Sequence, residues 1–277
     1  MKFPALLKGH FLTRYKRFFA DIELDNGQVV TAHCPNTGSM HTCLGHRWPC
    51  LISEHDGPTR KLKYTLEMLH NGKTWIAVNT SLANALAVEG IKTGKIKELQ
   101  GYDSIRQEAV IDAHTRFDLL LLNETDAPCY VEIKNVTLLG ENGQALFPDA
   151  VTTRGQKHLQ ELIKLKKQGY RAVQLYVIAR EDVQSFSPAA SIDPDYAQLL
   201  TLAIQTGVEA LAYQCRITPE EITIHQRIEI NPPPKYPGHI PSDGNGNGRP
   251  LGGQAQQSDW KNAGGRTDQS SARKGSQ

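Results

Sequence analysis

The sequence predicts a chain in three parts: a small all-β barrel or sandwich over residues 1–80, a mixed α/β domain over 81–230, and a disordered tail over 231–277. Three observations predict this. Short alternating runs broken by turn signals fill the first part. The second reads as helix, three strands, helix, strand, helix, strand. The third begins at NPPPKYPGHIPSDGNGNG and stays rich in proline, glycine, asparagine and serine to the end. Such a segment cannot bury enough apolar surface to offset the entropy of ordering it.

In the first part, FFADIEL alternates and meets Asp25-Asn26-Gly27, a hairpin signal. VVTAHC follows, then the turn-rich PNTGSM. RWPCLISEH, KLKYTLEML and KTWIAVN continue the pattern, with Asn71-Gly72 as another turn. Five or so strands at this spacing make a small barrel or a sandwich.

In the second part, SLANALAVEGIKTG predicts a helix closed by Gly90. SIRQEAVID, RFDLLLL and CYVEIKNV read as consecutive strands. TTRGQKHLQELIKLKKQG carries an apolar stripe of Leu159, Leu162, Ile163 and Leu165, a threonine cap at 152 or 153, and a stop at Gly169. RAVQLYVIA reads as a buried strand, DYAQLLTLAIQTG as a helix and VEALAYQCRI as a strand. This alternation belongs to a sheet flanked by helices.

Composition narrows the class. The chain has 277 residues and a formal charge of +2, and six of its basic residues against three acidic ones lie from Asn231 onward. The rest is near neutral, so a nucleic-acid surface has to be a local patch. No apolar run reaches the roughly 18 residues of a membrane span. Lys8 and Arg14 interrupt the only apolar stretch at the start, which is unlike a secretory signal, and the expected location is the cytoplasm. Five cysteines without a CxxC pair read as free thiols. Cys34, Cys43 and Cys50 intersperse with His33, His41 and His46, but no pair has zinc-finger spacing.

The chemistry-bearing residues are Asp118, Glu132 and Lys134. Alternation along a strand puts Glu132 and Lys134 on one face and Val131 and Ile133 on the other. Phe117, Leu119 and Leu121 fit that apolar side, which sets Asp118 opposite them. A hairpin through NETDAP with Asp118 facing Glu132 would gather two carboxylates and an ammonium. Hard oxygen ligands of this kind suit Mg²⁺, with Mn²⁺ as the alternative, and metal-assisted phosphodiester hydrolysis. The bland alternative is a solvated strand face with an ordinary Glu–Lys pair.

RFDLLL, YVEIKNVTL, FPDAVTTRGQKHLQEL and the early CPNTGSM resemble the sugar fermentation stimulation protein A family, in order and up to about residue 230. The resemblance implies an N-terminal OB-like barrel over 1–80 and a PD-(D/E)xK nuclease-like domain over 81–230. It implies Asp118 and Glu132 as the acidic, metal-holding positions and Lys134 as the lysine, with Phe117 where that motif carries proline. It also implies a protein that binds DNA without sequence preference and regulates sugar use, including maltose. Two other readings stay beside this one: a catalytically idle DNA-binding regulator, and an RNA-handling protein that uses the barrel alone.

Further residues fit a nucleic-acid surface. Arg14, Lys16 and Arg17 interleave with Tyr15, Phe18 and Phe19, a pattern that suits backbone tracking and base stacking, or else an edge strand. Arg116 reads as a phosphate contact or a structural ion pair. Arg154, Lys157 and His158 open the TTRGQKHL helix, whose start attracts phosphate. Asp149, Glu89 and Glu108 read as additional ligands or as surface and turn residues. Asn36 to Ser39 form a loop that either cradles phosphate or turns the chain. LLTLAIQTGVEALAYQCRIT fits helix-then-strand better than a helix-turn-helix.

Overall fold

The structure, a computed structural model, describes residues 1–57, 61–112 and 115–231. The tail expected over 231–277 lies outside the described residues, save Asn231.

The N-terminal strands are β1 (Leu6–Tyr15), β2 (Phe19–Leu24), β3 (Val29–His33), β4 (Pro49–Glu54), β5 (Tyr64–His70) and β6 (Trp75–Ala77). β1 to β3 form an antiparallel meander, β4 pairs with β1, and β5 pairs with β4. A short parallel pairing of β3 with β5 closes five strands into a barrel of OB type. Phe11, Ile22, Ala32, Ile52 and Leu66 fill its interior. β1 is the longest of these strands and pairs on both sides, yet its sequence does not announce it. The run Lys8-Gly9-His10 breaks the alternation, and a register shift falls between Phe11 and Thr13.

The second part begins with α1 (Ala83–Lys92), followed by β7 (Ser104–Asp112), β8 (Thr115–Leu122) and β9 (Cys129–Val136). After β10 (Leu138–Leu139) and β11 (Gln144–Phe147) come α2 (Thr153–Lys167), β12 (Arg171–Ile178), β13 (Ser185–Pro188) and α3 (Pro194–Thr206). β14 (Glu209–Ile217), β15 (Ile222–Arg227) and β16 (Glu229–Ile230) end the described chain. The main sheet runs β15-β14-β12-β9-β8-β7, with β9, β12 and β14 parallel. β12 lies at its centre and is buried over seven of eight residues, as a parallel strand covered on both faces should be. α1 packs against one face through Leu86, Ala87 and Ile91, and α2 and α3 pack against the other through Leu159, Leu162, Tyr196 and Leu200.

The expected helix-then-strand at the end is present, with Gly207 at φ 97° stopping α3 before β14. Gly90 corrects a sequence expectation. It does not close α1 but lies inside it, where a Cβ would come within 2.8 Å of Ile224 Cγ1. The glycine lets the helix approach β15, and a sequence pattern cannot tell that role from a stop.

Barrel and α/β domain meet through backbone and through Asn71 of the barrel, which donates to Asp182 Oδ2 at 2.8 Å. Ala77 N donates to Ala179 O. Arg180, fully buried, pairs with Asp182 at 2.6 Å and donates to Thr137 O at 2.7 Å. Removing one partner of such a pair typically costs about 3–5 kcal/mol, because the other charge stays buried alone. A second small sheet, β10-β11-β13-β16, lies beside the main one. Its strands are two to four residues long, too short to show a period in the sequence.

Candidate functional site

The site forms where β8 leaves β9. Their ladder pairs Leu121 with Cys129, Leu120 with Tyr130 and Leu119 with Val131, and it stops there. One more step of that register would set Asp118 opposite Glu132. Beyond the last rung Asp118 replaces the missing backbone partner: Ile133 N donates to its Oδ2 at 2.8 Å. Asn84 of α1 donates to Oδ1 at 2.9 Å.

The expectation that Phe117, Leu119 and Leu121 share one apolar side needs correction. Leu119 and Leu121 join Val131 and Ile133 in the α1-side core, but Phe117 lies in the α2-side core, 6.2 Å from the His158 ring. The strand turns over as it leaves the ladder, so strict alternation fails at the residue before Asp118.

Glu132 is 3% exposed. Its Oε1 accepts from Lys134 Nζ at 2.6 Å and from His158 Nδ1. Nδ1 also lies 3.4 Å from Lys134 Nζ. An ammonium only donates, so the proton on Nδ1 is assigned to the bond with Glu132, and the lysine contact is a near approach. Glu132 Oε2 is buried and has no hydrogen-bond partner. Burial pushes the Glu132 carboxyl up, but the His158 bond and the Lys134 charge together hold it below the usual carboxylate value. Asp118 goes the other way. Burial, then the Glu132 charge, raise it, against the Ile133 amide and Asn84. The two carboxylates therefore feel each other, and one buried oxygen is left without a donor. Among the described residues, no three His, Cys, Asp or Glu side chains are arranged to hold a metal ion together.

The other predicted residues are dispersed. Arg14 donates to the carbonyls of Asn36, Gly38, Ser39 and Arg17, so its guanidinium clamps the 36–39 loop. Lys16 and Arg17 are exposed at the β1–β2 hairpin tip, both in the left-handed region at φ 46° and 63°. Tyr15 and Phe18 flank them, each about two-fifths exposed. Arg116 pairs with Glu108 at 2.6 Å, an exposed ion pair. Arg154 and Lys157 face outward on α2, whereas His158 points inward to Glu132 instead of toward solvent. Glu89 bonds the Met1 amino group, away from Asp118. Cys34 and Cys43 are core residues, bonded to Met40 Sδ and Thr137 O.

Sequence reasoning missed Asn84 and Gln174. Gln174, opposite Glu132 on β12, donates to the Glu132 carbonyl at 3.0 Å and is fully buried. A polar residue inside the apolar run RAVQLYVIA is the signal that marks it. Asn135 was missed as well. It lines a cleft of about 420 Å³ with Arg17, Asn36, Gly38, Thr80, Phe147, Asp149 and Thr152.

An OB-type barrel joined to a mixed α/β domain, with a buried Glu–Lys–His cluster at a strand divergence, defines the class of protein. The family models agree with both halves. Residues 12–78 match the SfsA N-terminal OB domain, and residues 81–221 match the sugar fermentation stimulation protein RE domain. The chain is 50% identical over 227 residues to the sugar fermentation stimulation protein homolog of Geotalea daltonii, covering 82% of this chain and 97% of that one. The homolog from Maricaulis maris is 47% identical over 234 residues, 83% of this chain and all of that one. The structure of Pyrococcus furiosus SfsA in complex with Ca²⁺ is similar at TM-score 0.74 and 27% identity, over 83% of this chain and 98% of that one. This chain belongs to the sugar fermentation stimulation protein family.

Proposed function

We propose that this protein binds DNA without sequence preference and hydrolyses its phosphodiester bonds at a PD-(D/E)xK nuclease-type site. Asp118, Glu132 and Lys134 carry the site, with Mg²⁺ as the ion and Mn²⁺ as the alternative. The observation that carries this reading is the buried, partnerless Oε2 of Glu132, in a carboxylate that shares its surroundings with Asp118 and Lys134. A buried anionic oxygen without a donor is costly unless a cation completes it. The donor set, two carboxylates, suits a hard cation. The Ca²⁺ bound by the Pyrococcus furiosus relative supports a divalent ion in this family.

Asp118 and Glu132 would hold the metal, which when bound supplies charge neutralisation and a lowered pKa for water. Lys134 orients the attacking water and balances phosphate charge. His158 fixes the Glu132 carboxylate through Oε1, leaving Oε2 to face outward from that bond. Lys16 and Arg17, with Arg116 and Arg154, draw the phosphate backbone, and Arg14 holds the loop beside them. An influence on sugar use, including maltose, would follow from DNA binding in the cytoplasm.

A second reading, a DNA-binding regulator without catalysis, is favoured by the occupied groups: Oε1 of Glu132 is held by Lys134 and His158, and Asp118 by Asn84 and Ile133. The test is cleavage of single-stranded, nicked, branched and duplex DNA with Mg²⁺ or Mn²⁺, wild type beside Asp118→Ala and Lys134→Ala. Metal-dependent cutting lost in both variants is expected. Salt-sensitive DNA binding without cutting would select the second reading, and binding to RNA alone would overturn both.

A further inference from the structure

The cleft beside the site has no assigned role. It lies between the barrel's hairpin tip and 36–39 loop on one side and residues 135–138 and 146–152 on the other. Asn135 follows Lys134 directly on β9, and Thr152 caps the helix that carries His158. The cleft therefore adjoins the Glu132–Lys134–His158 cluster along both elements that build it.

Its polar groups are mostly spent. Asn36 Nδ2 donates to Val78 O, and its Oδ1 accepts from Gly38 N. Thr80 Oγ1 donates to Pro35 O, and Thr152 Oγ1 accepts from Gly155 N. Two groups remain. Asn135 Nδ2 is buried and has no hydrogen-bond partner. The Asp149 carboxylate receives only long contacts, both 3.4 Å, from Ser39 Oγ and Met40 N at Oδ2. Asn135, with this unpartnered donor, and Asp149, with its under-used acceptor, both line a cleft whose other lining includes Val136, Leu146, Phe147 and Pro148.

This chemistry disfavours phosphate beside Asp149 and leaves it to Arg17 at the rim. Asp149 is anionic, and the only cation on the lining is Arg17, at the exposed hairpin tip. A neutral heterocycle bearing both acceptors and N–H donors suits it instead, and the volume is in the range of pockets that bury small ligands. A base inside would leave its phosphates outside with Lys16 and Arg17. Neighbouring bases could then stack on the exposed Tyr15 and Phe18.

We propose that this cleft takes one unpaired nucleobase of a DNA strand, hydrogen-bonded by Asn135 and Asp149, so that the site selects single-stranded or locally unpaired DNA over intact duplex. The inference rests on the DNA-binding reading above and narrows its substrate class. A base still in a duplex would have to be unstacked and extruded to enter, which disfavours duplex by a few kcal/mol.

The test is a titration of the full chain with a fluorescent oligonucleotide, as a single strand and as a duplex, at one fixed salt concentration and with Ca²⁺ present. Wild type is compared with Asn135→Leu and Asn135→Asp. The single strand is expected to bind at least about tenfold more tightly, with 2-aminopurine fluorescence changing on insertion. Asn135→Leu removes an unpartnered buried donor, so its thermal melting point should hold or rise while the single-strand preference falls toward unity. Asn135→Asp places a second anion in the cleft and should lose the preference as well. Tight binding of both forms with equal affinity, or a preference untouched in well-folded Asn135→Leu, would overturn the cleft assignment and leave DNA binding standing. Binding of neither form would overturn the DNA reading itself.

Discussion

Nδ1 of His158, on α2, meets Oε1 of Glu132, on β9, and so ties the helix to the strand at the one buried carboxylate of the site. That contact sets the electrostatics around it. His158→Ala should leave Glu132 with Lys134 alone and let desolvation weigh more heavily. The expected cost is about 1–3 kcal/mol near neutral pH. Glu132 is held below its ordinary value of 4.5 in the folded state. The stability it contributes is therefore present above 4.5 and lost as pH falls through the folded value. The His158→Ala deficit should shrink over that acid range, as read from urea midpoints. A deficit constant with pH would mean that the histidine matters only for packing.

Asp118 has the opposite sign. Its folded-state value is raised above 3.8, so the folded protein holds this proton more tightly than the unfolded chain does. Its contribution is fully present below 3.8 and lost as pH rises through the folded value. Asp118→Asn, neutral throughout, should therefore gain on wild type with rising pH and level off above that value. The same substitution should abolish metal-dependent cleavage. A more stable but inactive variant is the expected signature of a functional carboxylate.

If the proposed site is right, Glu132→Gln should reduce cleavage by at least about a hundredfold, since it removes charge from the proposed metal ligand, and leave salt-dependent DNA binding intact. Chelation of divalent ions should do the same to wild type. Cleavage that survives both would place the chemistry elsewhere.

The hairpin tip stores strain where binding is proposed. Lys16 and Arg17 both occupy the left-handed region, which costs a side-chain-bearing residue about 1–2 kcal/mol. Lys16→Gly with Arg17→Gly should raise the melting temperature while weakening DNA binding. The slope of log affinity against log salt should drop by about 0.7 per lost contact on a single strand. Unchanged affinity would remove the hairpin from the DNA path.

Gly38 and Asp149 are coupled across the junction of barrel and α/β domain. A Cβ at Gly38 would stand 2.0 Å from Asp149 Oδ2. Gly38→Ala should push the Asp149 side chain aside at a cost of about 1 kcal/mol or less, because only two long contacts hold that carboxylate, and Asp149→Ala should recover the loss. Additive effects in the double mutant would show that the two do not meet.

By itself the sequence determined the β-rich first part, the three helices and five of the strands of the second in their order, though not β15 or the short strands of the small sheet, and the Asp118, Glu132 and Lys134 cluster as the place to look. Those features are local. Strand alternation, caps and helix stripes are written within a dozen residues, and Glu132 and Lys134 share a strand face by periodicity alone. Tertiary structure decided the rest. The barrel closes through the β3–β5 pairing, which joins segments with no pattern in common. His158 turns inward because α2 packs on β12, the neighbour of β9, and Phe117 turns over because β8 leaves the ladder at Leu119. Asn84, Gln174 and Asn135 gain meaning only from what packing puts beside them. Hydrophobic periodicity records which face of an element is buried, but not which element buries it, and the partners of a buried polar group are chosen by that second fact.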